Sequence, residues 1–288
     1  MIQLKNNNLA ITINEALGAA LHSFTYNGQD VLRPTPDSVQ RPQQQSLFLM
    51  LPYCSYIKDG KFNYFGINRH VPANDSTCTD PIHGDGCRAK WSIEKQFEDE
   101  VVLAYQHKKE DGFPFDYTAK VKYTLIDNQL KIMLSIYNPS ELPMPCGMGV
   151  HPYFLNPESA RLTFVSSHVW HHKNDPIFDR PYPTPNQWDF KNAEPLKEDF
   201  DTAFGGWDGS ATINYRDQNL QVVMQAEDIF HHIILYYPKD ANFFCLEPAS
   251  NTPDAFNLAA YGVIGTGIQS IGGGQTLTKS ITFTCSHT

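Results

Sequence analysis

Two histidines and two carboxylates of this chain stand where a side chain could move a proton. His151 precedes a proline and two aromatic rings in CGMGVHPYFL, residues 146–155. The proline pushes the backbone before it toward an extended conformation and excludes ordinary helix. His151 is therefore expected on a strand or strand end, with Tyr153 and Phe154 alternating on either side, where a sheet can present the imidazole to a cavity. His83 lies in PIHGDGCRAKW, where the glycines let the chain turn tightly and leave the ring exposed at a loop. Glu247 closes the apolar run 243–246 in FFCLEPAS. Desolvation there raises a carboxyl pKa toward the range useful to a general base. Asp201, in DFDTAFGGWDG, has Phe204 and Trp207 nearby, and aromatic faces beside polar groups commonly bind pyranose rings. Each feature also has a plain structural reading: a hydrogen-bonded histidine, a turn histidine, a strand-end carboxylate turned to water, a glycine turn. Together they point to acid/base work on a polyhydroxylated molecule.

The elements that must hold these residues read as strand after strand. Residues 9–13 alternate, and GAALHSFTYNGQDVL carries Asn27-Gly28, a strong hairpin signal. The clearest pair spans 117–138: Tyr117, Ala119, Val121, Tyr123 and Leu125 alternate with polar residues, Asp127-Asn128 turns, and Leu130, Ile132, Leu134 and Ile136 answer. Further strands are expected at 101–107, 161–165, 211–215, 220–226, 232–237 and 275–285, and only 253–260 could form a short helix. Many antiparallel strands without helices between them imply an all-β fold, a large β-sandwich, taken here as a single domain over 1–288. The proline-rich span 173–197 holds Ile177, Phe178, Tyr182, Trp188 and Phe190, too apolar for a solvated tether. It is expected to be an ordered loop packed on the sheet.

Composition narrows the partners. A formal charge of -9, with 31 acidic against 22 basic side chains over 288 residues, argues against nucleic acid. No run of about 18 apolar residues occurs, so neither signal peptide nor membrane span is read, and a cytoplasmic, soluble protein is expected. The six cysteines, at 54, 78, 87, 146, 245 and 285, form no CxxC pair and are expected reduced, Cys146 and Cys245 as small buried hydrophobes. The doublets His171-His172 and His231-His232 point to opposite strand faces, so no metal site is expected. Gly272 to Gly274 reads as a turn before the last strand rather than a phosphate cradle. Oligomeric state is not legible.

In several places and in the same order the chain resembles the aldose 1-epimerases, or galactose mutarotases, and more closely their shorter bacterial relatives. GAALHSFTYNGQDVLRP is similar to that family's N-terminal hairpin, HGDGCRAKW to its first histidine motif, GMGVHPYF to its second, DTAFGGWDG to its acidic loop and FCLEPAS to its glutamate segment. The resemblance implies a large antiparallel β-sandwich and a sugar substrate, with no metal or organic cofactor. It implies Glu247 as general base at the anomeric hydroxyl, His151 as general acid at the ring oxygen, His83 as a hydrogen-bond partner steadying charge there, and Asp201, Trp207 and Tyr153 as sugar-binding residues. One departure stands out. Where the family has an arginine this chain reads Pro52-Tyr53-Cys54-Ser55-Tyr56, so Tyr56 takes that substrate-binding place, with one phenol donor for a five-donor cationic fork. Lys58, Lys61, Arg69 and Arg88 are the cations considered able to reach the same space. Two alternatives accompany the mutarotase reading: a hexose 6-phosphate 1-epimerase, disfavoured by the scarcity of cations near the motifs, and a non-catalytic sugar-binding protein on the same scaffold.

Overall fold

Period-2 burial drives the architecture. In the strand Tyr117–Ile126 buried and half-exposed residues alternate almost without exception, and Gln129–Tyr137 repeats the pattern. The turn between them puts Asp127 at φ 51°, and the register runs from Ile126 opposite Gln129 to Thr118 opposite Tyr137. One face of such a ribbon must find a partner. The computed structural model, which describes residues 1–76, 78–172 and 180–288, with backbone alone for His171 and His172, supplies it as a second sheet.

The two large sheets are wholly antiparallel among the described residues. One has eight strands in the order Ala160–Phe164, Ser210–Tyr215, Leu220–Ala226, Thr276–Ser286, Gln129–Tyr137, Tyr117–Ile126, Glu100–His107, Ser92–Gln96. The other has eleven. Its path is Ile2–Lys5, Leu9–Asn14, Ala20–Tyr26, Leu47–Met50, Gly149–Leu155, Phe243–Ala249, His232–Tyr237, Phe200–Gly205, His168–His172, Tyr182–Pro183, with Gln29–Asp30 paired to Ala20–Tyr26. Aromatic rings from facing sheets meet in the core: Phe24 and Phe154 lie 6.3 and 6.4 Å from Phe283, and Phe164 lies 5.3 Å from Phe204. Each such ring removed from water contributes about 1.5–3 kcal/mol. This is the β-sandwich expected from the alternation.

The middle of the larger sheet departs from simple amphipathicity. Leu47–Met50, Gly149–Leu155 and Phe243–Ala249 are buried on nearly every residue. Leu49, Val150, Phe154, Phe244 and Leu246 belong to the core between the sheets. Their neighbours Phe48, Met50, Tyr153, Cys245 and Ala249 form a separate cluster on the other face, so that face is roofed by loops rather than wetted.

The hairpin at Asn27-Gly28, the strands near 101–107, 161–165, 211–215, 220–226, 232–237 and 275–285, the helix Ala255–Ala260 and the turn at Gly272–Gly274 fall close to their sequence-based positions. In the 173–197 span, Phe190 stacks on Phe164 at 4.8 Å and Trp188 meets Phe200 at 6.1 Å. Ile177 and Phe178 lie outside the described residues. One expectation needs correction. DTAFGG is not a loop: Asp201 stands on the strand Phe200–Gly205, and the chain turns only at Gly206. Glu247 lies inside Phe243–Ala249 and is buried, not a strand-end carboxylate turned to water. No helix among the described residues is long and apolar enough to cross a membrane.

Candidate active site

The outer face of the larger sheet is a grid, and its register assembles the site. Tyr153 pairs with Cys245, Cys245 with Tyr236, and Tyr236 with Asp201. The row beside it is His151, opposite Glu247 between the pairs Gly149–Ala249 and Tyr153–Cys245, then Glu247 with Ile234 and Ile234 with Ala203. Because side chains two apart on a strand share a face, both rows, Cys245 apart, line one cavity of about 410 Å³. Ser55, Tyr56, Ile82, His83 and Pro253 close it from above.

His151 Nε2 lies 3.0 Å from Glu247 Oε1. The imidazole is clamped between two rings, Phe48 at 4.3 Å and 26° and Tyr153 at 4.9 Å and 23°, so its rotamer is fixed by packing. Both partners are almost sealed, His151 7% and Glu247 2% exposed. Burial, with Asp201 adding like charge, raises the Glu247 carboxyl well above its ordinary value. Burial, then His83, holds the His151 imidazole well below its own. Both shifts favour the uncharged forms, so the contact is a hydrogen bond from a protonated carboxyl to a neutral ring rather than an ion pair. The pair shares one proton. His151 Nδ1 and Glu247 Oε2 find no hydrogen-bond partner, an uncommon state for buried polar atoms.

His83 completes the group from the roof, its ring perpendicular to that of His151 at 5.4 Å. It is 8% exposed, so the expectation of a solvent-exposed loop histidine is corrected: Ser55 covers it. The Ser55 N–H donates to His83 Nδ1 at 3.1 Å, and the His83 N–H donates to the Ser55 carbonyl at 2.9 Å. Both residues are held at positive φ, 59° and 60°, backbone strain of the kind that gathers at functional sites. Burial and then Arg88 lower the His83 pKa to about 3, so the ring is neutral at neutral pH. With Nδ1 accepting, the proton must sit on Nε2, and His83 is a fixed donor.

Asp201 and Tyr153 line the cavity as expected, and so does Tyr56. Burial, then Asp254 and Asp201, push the Tyr56 phenol up, leaving it an uncharged hydroxyl. Trp207 is not brought to the cavity. After the turn at Gly206, where φ is 62°, the chain reverses and Trp207 enters the core between the sheets, 3% exposed, its indole N–H donating to the Ser210 carbonyl at 2.8 Å. None of Lys58, Lys61, Arg69 or Arg88 lines the cavity, and Arg88 pairs with Asp75 at 3.0 Å.

The cation that does line it is Arg33, which the motif reading passed over. Its guanidinium lies 3.9 Å above the Tyr153 ring and 4.7 Å above Phe243. The available signal was an arginine between the buried pair Val31-Leu32 and Pro34, where a cation pays desolvation without evident cause. Cys245 was also missed as a neighbour of the acid/base pair: the ligand atoms of His151, Cys245 and Glu247 lie within 4.8 Å of one another, near enough to hold a metal ion. Burial pushes the Cys245 thiol well up, so a cation there would have to displace protons from a thiol and a carboxyl.

Comparison with known proteins gives a family and a fold. The family model described as aldose 1-epimerase matches residues 1–282. Among relatives, the uncharacterised protein YphB of Escherichia coli strain K12 is 23% identical over 271 residues, covering 87% of this chain and 88% of its own. The crystal structure of a candidate aldose 1-epimerase from Escherichia coli K12 superposes with a TM-score of 0.90 at 22% identity, covering 99% and 98% of the two chains. That of a galactose mutarotase-like protein from Clostridium acetobutylicum does so with 0.87 at 18% identity, covering 99% and 95%.

Proposed function

The chain belongs to the aldose 1-epimerase family, and from that premise we propose that it is a cofactor-independent mutarotase, interconverting the α and β anomers of a hexose by ring opening and closure. The observation that carries the reading is the His151–Glu247 pair, an imidazole nitrogen and a carboxyl oxygen 3.0 Å apart, both lining a cavity of about 410 Å³. The anomeric hydroxyl and the ring oxygen are bonded to the same carbon. A base for the first and an acid for the second must therefore be neighbours, as two atoms 3.0 Å apart are.

With the shared proton moved to His151, Glu247 takes the proton from the anomeric hydroxyl while His151 gives its own to the ring oxygen. The C1–O bond of the ring breaks, the aldehyde forms, and the pair again holds one proton, now on Glu247. Rotation about the bond carrying the aldehyde and reclosure with the roles reversed return the other anomer and the starting protonation. The His83 Nε2–H is a donor for the ring oxygen as charge develops there. Asp201 and Tyr56 bind sugar hydroxyls, and Tyr153 offers an aromatic face. Each proton-transfer partner contributes about 10²- to 10⁴-fold.

Polarimetry or proton NMR of freshly dissolved α-galactose and α-glucose tests the reading. Equilibration faster than the spontaneous rate is expected. If no aldose is accelerated while sugar resonances still broaden on addition of protein, the protein binds sugars without turning them over.

A further inference from the structure

We propose that Arg33 recognises an anionic substituent on the sugar, so that the substrate of this site is an acidic aldose of the hexuronic acid class; this rests on the mutarotase reading above. Among the described residues the guanidinium has no counterion. Its Nη2 donates to the carbonyls of Gln43 and Gln45 at 3.0 and 3.2 Å, its backbone N–H donates to the Tyr153 carbonyl at 2.7 Å, and its plane rests on Tyr153 and Phe243. Among the described residues no carboxylate pairs with it, and Nε and Nη1 carry no hydrogen bond. Neither is sealed from solvent as the orphaned buried atoms of the chain are. A half-buried cation, fixed through one nitrogen and bare on the others at a cavity wall, is arranged to accept an oxyanion from outside the chain.

The grid says which part of a sugar meets it. In a pyranose the ring oxygen bridges the anomeric carbon and C5, and C5 bears C6. On the strand that carries His151 the next side chain on the same face is Tyr153, with Arg33 on its ring, so a C6 substituent of a pyranose whose ring oxygen meets His151 can reach the guanidinium. Asp201 stands at the far end of the Tyr153 row, three strands away, about 14 Å at the usual ~4.8 Å per strand. It can hold hydroxyls there without opposing the anion. One guanidinium balances one negative charge, which favours a C6 carboxylate over a dianionic phosphate.

Mutarotation kinetics of the full chain on α-galacturonate, α-galactose and glucose 6-phosphate, with wild type, Arg33→Gln and Arg33→Lys, test this. Wild type is expected to show the highest kcat/KM on the uronate. In Arg33→Gln that value should fall about 10- to 100-fold, mostly through KM, and galactose should lose less. Arg33→Lys should recover part of the loss, because charge returns without the fork. Equal kcat/KM on uronate and galactose, or equal losses on both in the variant, overturns the inference while leaving the mutarotase reading standing. Preference for the phosphate overturns the carboxylate assignment. If no sugar is accelerated, the mutarotase reading fails, and calorimetric binding of galacturonate decides separately: binding lost in Arg33→Gln upholds the anion site, and no binding to wild type ends it.

Discussion

His151 and Glu247 face each other across adjacent antiparallel strands with 3.0 Å between Nε2 and Oε1, both nearly sealed from water and both driven toward their uncharged forms. A carboxyl and an imidazole in that relation act as one proton carrier. Glu247→Gln and His151→Asn are each expected to lower kcat by two to four orders of magnitude, about the size of one lost proton-transfer partner. The double variant should fall little further, because two halves of one relay are not additive. Anomer equilibration rates checked beside far-UV circular dichroism decide it. Near-wild-type turnover in either single variant removes the assigned mechanism.

Stability in acid should report on the roof. The folded-state pKa of His83 is depressed to about 3 from an ordinary 6.5. Below pH 6.5 the unfolded chain therefore takes up a proton that the folded chain refuses. The His83 contribution is present above that value and is lost as pH falls from 6.5 toward 3, with a slope of at most about 1.4 kcal/mol per pH unit. His232, held down to about 4 by burial, acts in the same sense. His83→Gln should flatten the fall of urea-unfolding stability between pH 6.5 and 4, and a curve parallel to wild type would mean that His83 is not buried as described.

Tyr56 tests specificity rather than chemistry. It lines the cavity, and Asp254 and Asp201 already supply negative charge to its phenol. Tyr56→Arg should therefore be accommodated, and should change the ratio of kcat/KM between galactose and glucose about tenfold, one hydrogen bond to a charged group. An unchanged ratio would show that position 56 does not touch the sugar.

Trp207 separates fold from function. Trp207→Phe removes the indole donor to Ser210 and leaves a void between the sheets, at a cost of about 1–3 kcal/mol. A lowered Tm with unchanged KM is expected. A raised KM at wild-type Tm would return this residue to the sugar.

The same contrast marks what could be read from the chain. Local alternation is written in neighbouring residues, which is why 117–138 and its turn were legible to within a residue or two. Leu47–Met50 is apolar on both faces and carries no period to read. His151 and Glu247 were marked by an imidazole before a proline and a carboxylate after an apolar run. The row from Tyr153 through Cys245 and Tyr236 to Asp201 pairs residues as far apart as Tyr153 and Cys245, about 90 positions, and Asp201 and Tyr236, about 35, and only pairing reveals it. Arg33 reaches the site from still further back in the chain. The covering of His83 depends on Ser55, and the burial of Trp207 on one turn at Gly206. Neither has a local signature that separates it from an exposed loop.

Gly84 connects that roof to the backbone beneath it. It follows His83 at φ 69°, and a Cβ there would lie 2.0 Å from the Leu51 carbonyl oxygen and 2.6 Å from the Pro52 ring. An L side chain meets both a left-handed backbone and a main-chain collision that no rotamer relieves. Gly84→Ala must push the His83 loop off the segment leading to Ser55, breaking the reciprocal His83–Ser55 hydrogen bonds that fix the Nε2–H donor. The outcome to expect is a loss of more than about 1 kcal/mol in stability together with a fall in kcat that His83→Gln reproduces without the stability loss at neutral pH. If Gly84→Ala lowers Tm but leaves kcat intact, the roof is a structural cover, and the donor to the ring oxygen must come from another group.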